Sequence, residues 1–232
     1  ENNGDVLNIK SQKKFNKILG GKVDLYTSDI GFDVSSDYNN QELMQLPLNI
    51  GQIISGLITL KKGGCFMTKQ YTMFESSTIS IMYALVNMFD EFYVCKPFSS
   101  REANSETYLI GIGFKEIVNT KHPYITAMLD RISGAIKPNI PLFHYEDYPK
   151  TYLEQIININ KQLCQKQIQK INHDVKYSLA GSKFNDKVWK FPEVKSFRHE
   201  IESSIEKWYL QMNILPIMKT NMLNMPDSYH QH

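Results

Sequence analysis

The sequence predicts an α/β protein, in which a sheet of parallel strands plus one antiparallel strand is followed by an α-helical extension. Two observations support this fold class. Through residue 114, short runs rich in branched and aromatic residues alternate with amphipathic helical patterns. After Lys115 the chain is rich in Lys, Gln, Asn and Ile, with helical periodicity and no strand-like run. We therefore expect one domain over residues 1–118 and a helical extension over residues 119–232.

Four strands are expected in the first half of the chain. They are Val23–Ser28, Cys65–Thr68, Phe92–Lys96 and Thr107–Phe114. Only a polar loop separates the third strand from the fourth, so these two should pair as an antiparallel hairpin.

Five helices are expected around and after these strands. Each has apolar residues at helical spacing, and Gly20 and Pro192 stand where a helix end and a helix start favour glycine and proline. The five are Ile9–Leu19, Gln41–Leu60, Ser76–Phe89, Tyr152–Tyr177 and Pro192–Leu215.

Composition restricts the class of protein more than its function. Of the 232 residues, 42% are hydrophobic and 22% are charged, which is typical of a soluble globular protein. The 26 basic and 24 acidic side chains give a net charge of only +2, so RNA contact would need a local basic patch. No apolar run is long enough to span a bilayer, and the polar start does not resemble a signal peptide. We expect an intracellular, cytoplasmic protein with no membrane partner.

The cysteines predict neither a disulfide framework nor a metal site. Cys65, Cys95 and Cys164 are odd in number and lack metal-ligand spacing. We interpret them as reduced core residues, and we expect no metal ion.

Three ionisable residues stand at strand ends, which indicates one site. Asp29 and Lys69 follow their strands, whereas Glu106 precedes its own. A sheet whose last strand is reversed would bring all three to one edge, where α/β proteins gather their functional loops. A lysine there could be tuned to take a proton from a hydroxyl group. An ion-pair cluster that anchors the strand ends would show the same spacing.

Four runs of the sequence resemble a known family in their order and spacing. They are GDVLN, DLYTSDIGFD, GGCFMTKQYTMF and KPFSSREANSETYLIGIGF, and they cover about residues 4–114. The runs are similar to the FtsJ-type (RrmJ-like) 2′-O-ribose methyltransferases, especially the branch that methylates the first nucleotide of capped mRNA. The resemblance implies the C-terminal part of a Rossmann-like methyltransferase sheet. The resemblance to the cap branch, together with the abundance of Lys, Asn and Ile, suggests a large DNA virus, asfarvirus-like, and hence a virion or viral-factory location.

The resemblance also implies roles for individual residues. The family uses a Lys-Asp-Lys-Glu tetrad to transfer a methyl group from S-adenosylmethionine to a ribose 2′-hydroxyl. By motif, Asp29 is its aspartate, Lys69 its second lysine and Glu106 its glutamate. Lys69 would activate the 2′-hydroxyl, while Asp29 and Glu106 would position and tune it. The family's first lysine and glycine-rich turn should lie before residue 1, so we expect this chain alone to be inactive.

Further residues are candidates for cofactor and substrate binding. Asp5 and Val6 match the family's acidic segment beside the cofactor adenosine, although Asp5 also suits a turn or a helix cap. Asp29 is expected to contribute to cofactor binding as well as to catalysis. Arg101, Asn104 and Ser105 share a loop with Glu106 and could hold ribose or phosphate, or could be a solvated hairpin loop.

Three alternatives to a cap methyltransferase remain open. The first is a ribosomal or transfer RNA 2′-O-methyltransferase. The second is a non-catalytic, methyltransferase-like subunit of a capping complex, which would have other capping-enzyme subunits as partners. The third is a purely structural α/β protein, which requires the three charged residues to lie far apart.

Overall fold

A four-stranded mixed sheet organises the first half of the chain. The computed structural model describes residues 4–31, 34, 37–97, 100–181 and 192–211. The strands are β1 (Val23–Ser28), β2 (Leu60–Gln70), β3 (Phe89–Cys95) and β4 (Thr107–Phe114), in the spatial order β1-β2-β4-β3. β1 is parallel to β2, whereas β4 is antiparallel to both β2 and β3. The predicted α/β class, the hairpin of the last two strands and the single reversed strand are confirmed.

Six helices accompany the sheet in the described part of the chain. They are α1 (Ile9–Leu19), α2 (Gln41–Leu57), α3 (Ser76–Met88), α4 (Pro123–Ile132), α5 (Lys150–Gly181) and α6 (Pro192–Gln211). The bounds of α1 are the predicted ones, because local signals set both ends. The Asn8 side chain accepts a hydrogen bond from the Lys10 amide at the start, and Gly20 ends the helix. Residues 212–215 of the last predicted helix lie outside the described residues.

The boundary between α2 and β2 differs from the prediction. The sequence Lys61-Lys62-Gly63-Gly64, which was expected to close the helix, lies inside β2. Its pairing with β1 is irregular, because Val23 pairs with Leu60 while Leu25 pairs with Cys65. β2 has more residues than β1 between these two pairs. Gly63 takes a φ of 78°, which favours glycine, and this backbone conformation accommodates the extra residues as a bulge. Lys69 consequently lies within β2, one residue before its end.

The core lies between the sheet and the helices that cover it. Its centre is formed by apolar side chains from α2, α3, β2 and β4, to which α4 and the first turns of α5 add their own. The largest fully buried side chains include Phe66, Phe89, Phe114, Ile54 and Leu85. This packing makes the sheet a rigid support for the loops at its edge.

The described residues after β4 contain helices and no strand, as predicted. Two compact units divide the chain at residue 172, so the first turns of α5 belong with the sheet, and α6 belongs to the second unit. The functional division at residue 118 stays a prediction. None of the described helices is long and apolar enough to cross a membrane. Cys65, Cys95 and Cys164 are free, and each is half-buried rather than in the core.

Candidate active site

Strand register brings the three predicted ionisable residues together. Ser28 pairs with Thr68 across β1 and β2, so Asp29 comes next to Lys69. Lys69 pairs with Tyr108 across β2 and β4, and paired residues place their side chains on the same face. Because side chains alternate along a strand, Glu106 lies on that face as well, two residues before Tyr108. The reversed direction of β4 therefore delivers Glu106 to the edge where β1 and β2 end.

The three side chains form an ion-pair cluster. Lys69 Nζ lies 2.8 Å from Asp29 Oδ1 and 3.8 Å from Glu106 Oε2. The Lys69 side chain is 17% exposed and that of Asp29 is 61% exposed. The lysine is thus enclosed, while the aspartate faces outwards. These separations differ from the distant charges that the third alternative requires, and they are common to a catalytic site and to an ion-pair cluster that anchors strand ends.

The charge state of Lys69 is set by opposing effects. Burial lowers the pKa of Lys69, but the hydrogen bond to Asp29 and the charges of Tyr71, Glu106 and Asp29 raise it, and the result lies above the ordinary value. The ring of Tyr71 lies 5.6 Å from the ammonium, within cation–π range. The hydrogen bond and the neighbouring charges therefore outweigh burial, and the raised pKa favours the ammonium form of Lys69 at neutral pH.

Glu106 is held from two sides. Tyr108 donates its hydroxyl hydrogen to Glu106 Oε1 at 3.2 Å, leaving Oε2 for Lys69. Burial and the neighbouring carboxylates raise the pKa of Tyr108, so the phenol stays a donor at neutral pH. The Glu106 carbonyl accepts a hydrogen bond from Lys96 Nζ at 2.9 Å. Glu106 is thus fixed by both its side chain and its main chain.

Lys96 organises the loop that carries Glu106. Its ammonium also donates to Ser100 Oγ, to the main-chain oxygen of Asn104 and to Asn104 Oδ1. These acceptors are neutral oxygens, and burial lowers the pKa of Lys96 despite the charges of Glu106 and Glu102. Hydrogen bonds from the Lys96 ammonium therefore hold this loop in its conformation.

The segment after Lys69 is fixed by a buried carboxylate. Glu42, at the start of α2, is 7% exposed. It accepts hydrogen bonds from Thr72 Oγ1 at 2.7 Å and from the amides of Phe74 and Glu75 at 3.0 Å each. Residues 71–75 are thereby held rigidly, while the Phe74 ring is 57% exposed.

Comparison with known proteins identifies the family of the sequence stretch that carries this cluster. The model of the FtsJ-like methyltransferases matches residues 2–114, the stretch that carries Asp29, Lys69 and Glu106. Residues 2–114 form an FtsJ-like methyltransferase domain. The resemblance predicted from the sequence motifs is confirmed.

Relatives of the FtsJ-like domain include viral and animal proteins. A probable methyltransferase of African swine fever virus is 42% identical over 118 residues, covering 47% of this chain and 27% of the viral protein. The cap-specific mRNA (nucleoside-2′-O-)-methyltransferase 2 of Drosophila melanogaster is 33% identical over 140 residues, covering 58% of this chain and 19% of the fly protein. Its Mus musculus counterpart is 31% identical over 159 residues, covering 67% and 20% respectively. The chain thus spans less than a third of these relatives.

The proposed cofactor segment of the FtsJ-like domain is a turn beside α2. Asp5 Oδ1 accepts a hydrogen bond from the Leu7 amide at 2.9 Å, so the turn role left open by the sequence is present. The Val6 carbonyl accepts from Gln12 Nε2 at 2.6 Å and packs against Gly51, where a Cβ would lie 2.8 Å from it. The cofactor role of Asp5 and Val6 stays a prediction.

The proposed substrate residues of the FtsJ-like domain occupy different positions in their loop. Arg101 is exposed, and Ser105 is half-buried. Asn104 Oδ1 is engaged within the loop, because it accepts hydrogen bonds from Lys96 and from the Glu106 amide. Asn104 therefore shapes the loop, and a substrate role for the three residues stays a prediction.

Sequence reasoning missed a buried amide that links two strand ends of the FtsJ-like domain. Gln52, fully buried on α2, accepts from the Ile30 amide at 3.4 Å and donates to Asn49 Oδ1 at 3.0 Å and to the Lys69 carbonyl at 3.4 Å. It joins the backbone after Asp29 to that of Lys69. A glutamine inside an apolar helical pattern was the available signal.

Proposed function

We propose that the protein is an S-adenosylmethionine-dependent RNA 2′-O-ribose methyltransferase that modifies the first transcribed nucleotide of capped mRNA. The observation that carries this proposal is the enclosed Lys69 ammonium, held between the carboxylates of Asp29 and Glu106 inside the matched region. The names of the fly and mouse relatives support the choice of substrate.

The reaction defines what the site must supply. A ribose hydroxyl oxygen attacks the methyl carbon, the carbon–sulfur bond breaks, and the hydroxyl proton leaves. The products are a 2′-O-methyl ribose, a neutral thioether and one proton. The protein must therefore align the oxygen and accept that proton.

Lys69 fits both tasks once it has lost its own proton. Its Nζ is fixed by two carboxylates, and a neutral amine at that point could accept the hydroxyl proton and form the ammonium that this site stabilises. Because the pKa of Lys69 is raised, the neutral amine is the minor form at neutral pH. Asp29 and Glu106 therefore have two opposing effects. They favour acceptance of a proton by the neutral Lys69 amine, and they lower the fraction of Lys69 that is present as that amine.

The exposed acidic residues fit the cofactor. S-adenosylmethionine supplies a methyl group activated by a positively charged sulfonium. The outward carboxylate of Asp29 suits a cationic donor next to Lys69, and exposed Asp5, with Val6, suits the polar edge and face of adenosine. α2 joins these positions, because Gly51 contacts Val6 and the adjacent Gln52 contacts the Ile30 amide.

Polar and aromatic residues around Lys69 fit a nucleotide substrate. The guanidinium of Arg101 suits a phosphate, and the Ser105 hydroxyl suits a sugar. The exposed ring of Phe74 stands on a rigid segment five residues after Lys69, where a base could stack on it. The residues around Lys69 therefore fit an RNA substrate better than a small hydroxylated molecule.

The test is methyl transfer by the intact protein to matched RNAs with and without a cap, with the modified ribose located by mass spectrometry of digests. We expect methylation of the first transcribed nucleotide of capped RNA only. Equal transfer to uncapped RNA would favour a ribosomal or transfer RNA enzyme. No transfer to any RNA, with S-adenosylmethionine unbound, would favour the non-catalytic subunit of a capping complex.

A further inference from the structure

Two side-chain amides project from one face of α5 toward the sheet unit. The residues of α5 that are buried or half-buried recur at helical spacing and include Tyr152, Ile156, Asn160, Leu163 and Gln167. This is the packing face of an amphipathic helix. Most of its members in the first turns are apolar, so the two amides on it require an explanation.

Each amide donates to a main-chain carbonyl of a different loop. Asn160 Nδ2 lies 2.7 Å from the Met73 oxygen, and Gln167 Nε2 lies 3.0 Å from the Ala103 oxygen. The two donors are seven residues apart, which is two turns or about 10 Å along the helix. One rigid element therefore spans two separate loops.

Both loops belong to the ion-pair site. Met73 is fully buried in residues 71–75, which directly follow Lys69 and Gln70. Ala103 lies in the loop that ends at Glu106, three residues before it. The helix itself is anchored to the sheet unit at a third point, because Tyr152 donates its hydroxyl hydrogen to the Ile79 carbonyl at 2.6 Å.

We propose that α5 is a brace of the active site, in which Asn160 and Gln167 are positioning residues that set the spacing between Lys69 and Glu106. The catalytic meaning of the brace rests on the proposed methyl transfer. Residues 150–167 lie outside the stretch matched by the family model, so the site of this protein includes an element from its helical extension.

Physical reasons favour a positioning role over general packing. The loops on either side of Lys69 and Glu106 lack their own helix or strand, so their main-chain carbonyls need donors from elsewhere. Apolar side chains at residues 160 and 167 would leave those carbonyls without these donors. Asn160 and Gln167 belong to one helix, so α5 resists any movement of one loop relative to the other.

The experiment removes each donor while keeping the side-chain shape, in the intact protein. Asn160→Asp and Gln167→Glu replace the N–H donors with acceptors, and Gln167→Lys restores a donor of similar reach. Asn158→Asp and Gln165→Glu place the same charges at exposed positions of α5 and serve as controls. The measurements are amide hydrogen exchange in both loops and steady-state methyl transfer.

We expect a loop-specific response. Gln167→Glu should accelerate exchange at the Asn104 and Glu106 amides, and Asn160→Asp should accelerate it at Phe74 and Glu75, without change in β2 or β4. In both variants kcat should fall about ten-fold with little change in KM for the methyl donor, since misplaced catalytic groups slow the chemical step. Gln167→Lys should retain most of the wild-type kcat.

Three results would overturn the brace. They are unchanged exchange in both loops, a uniform acceleration across the sheet, and faster loop exchange with an unchanged kcat. If the wild-type protein methylated no RNA, the proposed function would fail, and the exchange data alone would decide whether the two amides hold the loops.

Discussion

Lys69 and Asp29 form the tighter of the two contacts in the charged cluster, at 2.8 Å against 3.8 Å for Lys69 and Glu106. The lysine is enclosed, whereas most of the aspartate side chain is exposed. Asp29 is therefore the carboxylate through which a bound ligand would alter the charge of Lys69.

Replacing Lys69 should separate binding from chemistry. We expect Lys69→Ala to lower kcat by about 10²–10⁴-fold, because it removes the proton acceptor. Calorimetric titration should show that S-adenosylmethionine still binds, because Asp5 and Asp29 remain. Lys62→Ala, at an exposed position of the same strand, is the control and should leave both quantities unchanged. Loss of cofactor binding in Lys69→Ala would show that Lys69 has a structural role.

The pH dependence of kcat/KM should report the proton on Lys69. The pKa of Lys69 in the free protein is raised, so the ammonium form dominates over the whole range from pH 6 to 9. In that range the fraction of neutral amine increases about ten-fold per pH unit, and kcat/KM should rise with it without reaching a plateau. Asp29→Asn keeps an acceptor oxygen but removes the negative charge that favours the ammonium, so the pKa of Lys69 should fall. A plateau should then appear at a lower pH than in the wild-type protein.

The control for the pH profile is Asp24→Asn, which removes the carboxylate paired with exposed Lys61. This variant should keep the wild-type profile. A flat profile in the wild-type protein would argue that Lys69 acts as a permanent ammonium and that another group accepts the proton.

Lys96 should be essential for the loop that carries Glu106. Lys96→Met keeps the side-chain stem and removes the ammonium that contacts Ser100, Asn104 and the Glu106 carbonyl. We expect kcat to fall about 10–100-fold, and trypsin to cleave faster after exposed Arg101. Lys96→Arg should not rescue activity, because a planar guanidinium cannot converge on the same oxygens. Lys115→Met, at an exposed lysine, should match wild type, and an equally protected Arg101 in Lys96→Met would contradict this role.

Glu42 should contribute to stability through residues 71–75. Glu42→Ala leaves a hydroxyl group and two main-chain amides without their acceptor, which should lower the free energy of unfolding by about 3 kcal/mol. The measurement is denaturant unfolding. Glu154→Ala removes an exposed carboxylate 3.6 Å from Lys150 and should change stability by less than about 0.5 kcal/mol. Equal losses in the two variants would show that burial of Glu42 is unimportant.

The sequence predicted those features that local patterns determine. Gly20 marked the end of α1, and the polar loop before Thr107 indicated the hairpin. Asp29 and Glu106 were predicted to share an edge because they stand at opposite ends of oppositely directed strands. For the same reason the positions of the charged residues were predictable, although their protonation was not. The charge of Lys69 depends on distances that no spacing reveals.

The residues that support the site could not be predicted, because their partners are distant in the chain. Glu42 resembles an acidic residue that favours a helix start, yet it binds amides about 30 residues later. Asn160 and Gln167 stand in a run of Lys, Gln and Asn that resembles a solvated helix face. The start of β2 at Leu60 was also missed, since pairing with β1 outweighs the local helical pattern.

The sheet order has a consequence for biosynthesis. β4 is the last of the four described strands to leave the ribosome, yet it lies between β2 and β3. Until residues 107–114 emerge, one edge of β2 and one edge of β3 lack the partner that they have in the finished sheet, and unpaired edges invite aggregation. Nascent chains or truncations that stop before residue 107 should therefore depend on chaperones. Glu106 directly precedes β4, so the ion-pair cluster depends on the same segment that supplies the partner of β2 and β3.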